Sequence, residues 1–224
     1  METFKITTFN THHGKENDVK YSTEKFCEDI KSLNSDILCL QEVDAYSLRT
    51  KFSNQSKTLA RYLDYQYHSS FVRFFGIGFQ YNTIISRFPL SNIEQIILPS
   101  SKGAQRRIAT RVTVETNAGP VIVINTHLHS DGKLKNKNDI AKNQLMYLTE
   151  ISKEENIILA GDFNLAPVSV IPIVTTNGFI APSEYKTSPA CNPKNQIDWL
   201  LSKGYILENL EVSDQLASDH RALS

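Results

Sequence analysis

Ile157-Ile158-Leu159-Ala160-Gly161-Asp162-Phe163-Asn164 is an apolar run that stops on a cluster of polar, chemistry-bearing residues. A short run of this kind has the signature of a buried β-strand. The same pattern recurs along the chain. Phe4-Lys5-Ile6-Thr7-Thr8 leads into Phe9-Asn10, and Asp36-Ile37-Leu38-Cys39-Leu40 leads into Gln41-Glu42. Val121-Ile122-Val123-Ile124 leads into Asn125-Thr126-His127, and Ser218-Asp219-His220 stands near the C-terminus. Rigid scaffolds present reactive groups at strand ends. Strands that bring Asn, Glu, His, Asp, Asn, Asp and His to one pocket point to divalent-metal hydrolysis. Carboxylate and amide oxygens suit Mg²⁺ or Mn²⁺, and the chain lacks the Cys/His ligand pattern of structural zinc.

The rest of the sequence fills in an α/β domain. Residues 22–34 have a helical pattern with Ser22 as N-cap, and Ser56–Leu63 forms a shorter helix. The stretch from Tyr65 to Ile97 reads as strands broken by Gly76, Gly78 and Pro89. Arg107–Thr116 and Pro120–His127 form a hairpin around Asn117-Ala118-Gly119. Ala141, Leu145, Leu148 and Ile151 recur at helical spacing, and Pro167 suits the first turn of a further helix. Ser183–Gln196 is a polar loop. The final strands are expected at Ile197–Ser202, Ile206–Val212 and Arg221–Ser224.

Composition narrows the function classes. The 224 residues suffice for one large domain, and 24 Lys and Arg balance 24 Asp and Glu. That balance argues against a dedicated basic binder of nucleic acid or membrane, though local patches remain open. Lys102, Arg106, Arg107 and Arg111 make one basic cluster, and Lys133, Lys135, Lys137 and Lys142 another. Ordinary solvated surface is the competing explanation for both. The three cysteines, Cys27, Cys39 and Cys191, have no metal spacing and fit a reducing, cytoplasmic compartment. The chain enters its first strand at once, which leaves no room for a signal peptide. No apolar stretch approaches the roughly 20 residues of a membrane-spanning helix.

Taken together, Thr8-Phe9-Asn10, Leu40-Gln41-Glu42-Val43, Asn125-Thr126-His127-Leu128, Gly161-Asp162-Phe163-Asn164, Ile197-Asp198-Trp199-Leu200-Leu201 and Ser218-Asp219-His220 resemble a known family. It is the endonuclease/exonuclease/phosphatase superfamily, metal-dependent phosphoesterases with a fold like deoxyribonuclease I. The resemblance covers essentially the whole chain as a single domain, 1–224. It implies a four-layer sandwich of two β-sheets packed face to face and flanked by helices.

The resemblance also implies roles. Glu42 binds Mg²⁺ or Mn²⁺, Asn10 positions that ion or its waters, and Asp219 is the third candidate for the metal. Asp162 orients or deprotonates the attacking water, and Asn164 holds non-bridging phosphate oxygens. Asp198 and His220 look like a pair joined by folding, a carboxylate that fixes an imidazole. Whether His220 acts as base or as phosphate stabiliser stays open. His127, which abasic-site endonucleases of the family lack, donates a proton to the leaving oxygen or binds the phosphate. The run Phe9-Asn10-Thr11-His12-His13-Gly14 is similar to a largely bacterial branch. Relative to that branch, Asn82 is kept as a partner of His127 or phosphate. Arg106 is a candidate phosphate clamp and equally a solvated loop arginine, with Arg107 or Arg49 as substitutes.

The expected function is Mg²⁺- or Mn²⁺-dependent hydrolysis of phosphodiester bonds by a monomer, first in nucleic acid. The alternative is a small phosphoester or lipid headgroup. The compact sequence offers no hydrophobic hairpin of the sort that membrane-acting relatives use.

Overall fold

Alternate residues of the strand Ile37–Ala45 face two different apolar layers, and that alternation sets the architecture. Ile37 and Cys39 join Ile84, Val112, Val123, Ile158 and Ala160 in one core, whereas Leu38 and Leu40 join Phe26, Ile30 and Leu59 in another. The strand Ile157–Asp162 repeats the device: Ile158 and Ala160 face the first core, while Ile157 and Leu159 pack with Ala141, Leu145, Leu148 and Val170. A strand apolar on both faces needs cover on both. The layers therefore run helix, sheet, sheet, helix, as expected from sequence.

The computed structural model describes residues 3–15, 21–74, 76–130, 137–214 and 216–224, with only the backbone of 137 and 138. The first sheet has the order β1 (Ile6–Asn10), β2 (Ile37–Ala45), β4 (Phe79–Ser86), β3 (Gln66–Phe74). The second follows chain order: β5 (Leu90–Ile97), β6 (Ile108–Thr116), β7 (Gly119–His127), β8 (Ile157–Asp162), β9 (Asp198–Lys203). β1 with β2 and β7 with β8 are parallel; the other pairs are antiparallel. Helices α1 (Thr23–Ser32) and α2 (Gln55–Leu63) cover the first sheet, and α3 (Lys137–Ile151) and α4 (Pro167–Thr176) the second. Ser22 caps α1 through the Lys25 amide, as its sequence position predicts. Truncating the fully buried Leu159 to Ala would cost about 2–5 kcal/mol, because neither helix nor sheet can close the gap.

Two details fix how the strands end. Gly161 has φ +148, and a Cβ there would lie 1.9 Å from the Thr126 carbonyl oxygen, so only glycine lets β8 sit this close to β7 before Asp162. Between the sheets, Gln41 Nε2 donates to Asn125 Oδ1 at 2.7 Å, and Asn125 Nδ2 donates to the Leu40 and Thr83 carbonyls, each at 2.9 Å. This buried polar latch ties β2 and β4 to β7 directly beneath the strand ends.

One expected strand does not form. Ile206–Val212 is irregular, with Ile206 exposed, Asn209 in the left-handed region and a single bridge from Val212 to Leu223. Glu208 and Asn209 interrupt the apolar alternation that a strand needs. The terminal stub does pair: Leu223 exchanges both backbone hydrogen bonds with Thr8 on the free edge of β1. No helix among the described residues is long and apolar enough to cross a membrane.

Candidate active site

Glu42 stands where β2 loses register with β4. Leu40 pairs with Thr83 and Val43 with Tyr81, so one extra residue bulges from β2, and Glu42 takes φ 55 there. A bulge of this kind re-aims a side chain out of the ladder. Among the described residues its carboxylate has only long contacts, such as Gln80 Nε2 at 3.5 Å and His127 Nδ1 at 3.9 Å. An acid this weakly satisfied and mostly shielded from solvent suits a divalent cation. The residues present thus fit the ion implied by the family.

Asp162, at the end of β8, is the hub. Asn10 Nδ2 donates to its Oδ2 at 3.0 Å; His127 Nε2 lies 3.4 Å and His220 Nε2 3.8 Å from the same oxygen. The other oxygen accepts the Asn164 amide at 2.9 Å, an Asx turn that holds the carboxylate upright. Burial raises the Asp162 pKa to about 7, with Asp198 adding to the rise and His220 opposing it.

His220 is held from behind. Its Nδ1 lies 2.8 Å from Asp198 Oδ2, leaving Nε2 toward Asp162. Burial works against the charged ring, but Asp198 and then Asp162 outweigh it and raise its pKa to about 10. His127 is the opposite case. Burial, followed by the charges of Arg107, His220 and Arg73, holds its pKa well below the usual histidine range. One imidazole is therefore cationic at neutral pH and its neighbour neutral.

The structure joins Asn10, Glu42, His127, Asp162, Asn164, Asp198 and His220 through these contacts. Asp219 reaches the group through His12, whose Nδ1 lies 3.5 Å from its Oδ1. Asn82 is buried on β4 and donates to the Ile108 carbonyl at 3.3 Å. Arg106 is exposed in the loop before β6, and it makes no contact with these groups among the described residues. Its neighbour Arg107 turns inward instead, with Nη2 donating to Ser130 Oγ at 3.0 Å. Arg49 is committed to Asp44 by a bidentate pair of 2.7 and 2.9 Å.

Other participants lie in segments that sequence reasoning passed over. Thr187 comes from the polar loop 183–196, is fully buried, and donates to Asp198 Oδ2 at 2.5 Å. Tyr185 from the same loop donates to the Asp198 carbonyl at 2.9 Å. His12 and His13 approach Glu42, and burial, then Arg49, lowers the His13 pKa to about 3. A Thr or Tyr in a turn-rich loop leaves no periodic signal; the pair His12-His13 was the one visible clue.

The surface also departs from expectation. Phe71, Phe74, Phe79 and Tyr81 form a chain of ring contacts on the β3–β4 hairpin that Tyr46 joins from the end of β2; Phe74 and Ile77 are exposed on the hairpin, and Leu48 and Phe52 on the segment after β2. The hairpin is hydrophobic after all, since Phe79 and Tyr81 turn outward as the alternating Gln80 and Asn82 turn in. Of the basic clusters, Arg111 pairs with Glu154 and Glu94. Lys133, Lys135 and the side chain of Lys137 lie outside the described residues.

Paired carboxylates, two imidazoles and amide donors at the strand ends of a two-sheet sandwich define a metal-dependent phosphoester hydrolase, of the phosphodiesterase/nuclease type. The chain belongs to the endonuclease/exonuclease/phosphatase family, whose profile matches residues 7–220. Among solved structures, it is similar to an endonuclease/exonuclease/phosphatase from Beutenbergia cavernae, with TM-score 0.79 and 20% identity over 98% of this chain and 70% of that one. The human Nocturnin catalytic domain with bound sulfate anion gives TM-score 0.72 and 21% identity, covering 98% of this chain and 91% of that one. Truncated TDP2 from Caenorhabditis elegans gives TM-score 0.72 and 17% identity, covering 98% and 95%. A search of curated proteins finds no match.

Proposed function

We propose that the chain hydrolyses phosphodiester bonds in nucleic acid with Mg²⁺ or Mn²⁺. The observation that carries the chemistry is the convergence of Asn10, His127 and His220 on the Asp162 carboxylate. Glu42, Asn10 and Asp219 would hold the ion, which when bound polarises a phosphoryl oxygen and offsets charge on the leaving oxygen. Every other part falls to side chains. Asp162 orients the attacking water and takes its proton. His220, cationic on Asp198, directs Nε2–H at the charge growing on the non-bridging oxygens, and the Asn164 side-chain amide serves the same oxygens. His127, kept neutral, acts as a phosphate-binding donor rather than a proton reservoir. Asn82, buried on β4, would serve as a further amide for phosphate. No covalent intermediate is needed.

Two surface features support a polynucleotide as substrate. Lys102 and Arg106 are exposed in the loop that carries Arg107, and the β3–β4 rings offer faces on which bases stack without sequence preference. The same exposed rings favour a second reading, a phosphodiester in a lipid headgroup. We place the protein in the cytoplasm as a monomer, where the buried thiols of Cys27 and Cys39 stay reduced.

The deciding experiment is a turnover panel with Mg²⁺ and Mn²⁺ over single-stranded DNA, duplex DNA, RNA, sphingomyelin vesicles, inositol phosphates and a bis-aryl phosphate. Polynucleotide cleavage that weakens steeply with salt is expected. Hydrolysis of sphingomyelin or inositol phosphate with every polynucleotide intact would replace the first substrate by the second.

A further inference from the structure

Immediately after β1, the chain makes a one-turn 3-10 helix at His12–Gly14, and its two histidines face the β2 bulge. A ring nitrogen of His12, a ring nitrogen of His13 and a carboxylate oxygen of Glu42 all lie within 4.8 Å of one another. His13 is only 5% exposed, yet its Nδ1 has no hydrogen-bond partner among the described residues. An orphaned ring nitrogen in a buried site costs about 1–3 kcal/mol unless something binds it. All three residues sit at positive φ, 40, 49 and 55, a conformation non-glycine residues keep only when their surroundings impose it.

The surroundings do impose it. Thr11 Oγ1 donates to the Gln41 carbonyl at 2.9 Å and the Glu42 carbonyl at 3.4 Å, tying the turn to the bulge. Buried Gln55 closes the far side: it accepts the Asp44 amide at 2.7 Å and donates to the His13 carbonyl at 2.8 Å. Gly14 seats the turn, since a Cβ there would come within 2.7 Å of the Phe26 ring. Asp219 faces His12 Nδ1 at 3.5 Å, the carboxylate-behind-imidazole arrangement that orients metal-binding rings.

Two imidazoles and one carboxylate are the wrong set for Mg²⁺, which takes oxygen donors and keeps its waters. They suit borderline ions. We propose that His12, His13 and Glu42 bind a divalent transition ion of the Fe²⁺-to-Zn²⁺ class, which Mg²⁺ does not displace. The site adjoins the hydrolytic centre and shares Glu42 with it. It rests on ring geometry alone and needs no assumption about substrate.

The test uses the full-length, metal-free protein titrated with Co²⁺ in excess Mg²⁺. Visible d–d absorption reports nitrogen ligation, and metal analysis gives the stoichiometry. Wild type should bind Co²⁺ with ligand-field bands, and His12→Gln should weaken binding by about tenfold or more while leaving the melting curve intact. His13→Gln should do the same; should that variant fold poorly, the half-exposed His12 decides. A Co²⁺ isotherm unchanged in His12→Gln, or Co²⁺ fully displaced by Mg²⁺, overturns the proposal. Co²⁺ binding as expected in a protein that cleaves no phosphodiester would refute the hydrolytic reading and leave this site standing.

Discussion

His220 Nδ1 and Thr187 Oγ1 meet on a single oxygen: Asp198 Oδ2 lies 2.8 Å from the ring and 2.5 Å from the hydroxyl. A carboxylate gripped from both sides cannot rotate away, so it fixes both the tautomer and the tilt of the imidazole.

Groups that act as one unit do not lose activity additively. His220→Ala and Asp198→Ala should each lower kcat by about 10²–10³-fold, and the double variant should be scarcely worse than either. Thr187→Val should fall between wild type and Asp198→Ala. Single-turnover rates on one substrate settle this, and multiplied losses in the double variant would separate the two residues.

Above about pH 7 the stability of the metal-free protein should fall as pH rises, whereas below it the lowered pKa values of His13 and His127 work against the Asp162 contribution. His220 titrates at about 10 against its ordinary 6.5, and Asp162 at about 7 against 3.8. Both raised values mean that the folded state binds protons more tightly than the unfolded one. The Asp162 contribution is lost between pH 3.8 and about 7, and that of His220 between 6.5 and about 10. Urea unfolding from about pH 7 to 10 checks the sign, and His220→Ala should flatten the fall. Stability that rises from neutral to alkaline pH would contradict the pairing.

His127→Ala should slow nitrophenyl and alkyl phosphodiesters by similar factors. A ring held neutral by burial and by Arg107 has no proton to lend, so leaving-group basicity should not matter. A loss confined to the poor leaving group would restore the general-acid role.

Activity should vanish with EDTA and return with Mg²⁺ or Mn²⁺. Glu42→Gln keeps the bulge and the amide's shape but removes the charge, so calorimetric metal affinity should drop by about tenfold or more. An unaltered titration in that variant would take Glu42 out of the ligand set.

Asn125→Ala should destabilise the protein by about 1–3 kcal/mol, because the Gln41 amide and the Leu40 and Thr83 carbonyls lose a buried partner together. Thermal melts provide the measurement, and a neutral outcome would deny the latch its role.

Much of this was legible in the chain. β8 was visible because Ile157–Ala160 is apolar on both faces, and its polar terminus marked Asp162 and Asn164. The Ser22 cap and the proline at the start of α4 were legible for the same reason, each being a local signal. What stayed hidden depends on contacts far apart in sequence. Thr187 acts only because its loop folds back on β9. Nothing local tells Arg106 from Arg107; the inward turn belongs to the strand that Arg107 enters. The segment Ile206–Val212 looked like a strand because its composition is apolar enough, yet Glu208 and Asn209 break the alternation and Asn209 turns into the left-handed region. The hydrophobic hairpin escaped notice because alternation shows which residues oppose one another, not which face meets solvent.

Each sheet is built from one unbroken half of the chain, β1 to β4 and then β5 to β9. Asn10 and Glu42 come from the first half, His127, Asp162 and Asp198 from the second. Neither half owns a working centre. The molecule is in effect a heterodimer whose subunits share a peptide bond. A chain nicked between Ser86 and Leu90 should give fragments that turn over no substrate apart and regain activity on mixing, as Gln41 re-engages Asn125 and Leu223 clasps Thr8 across the join.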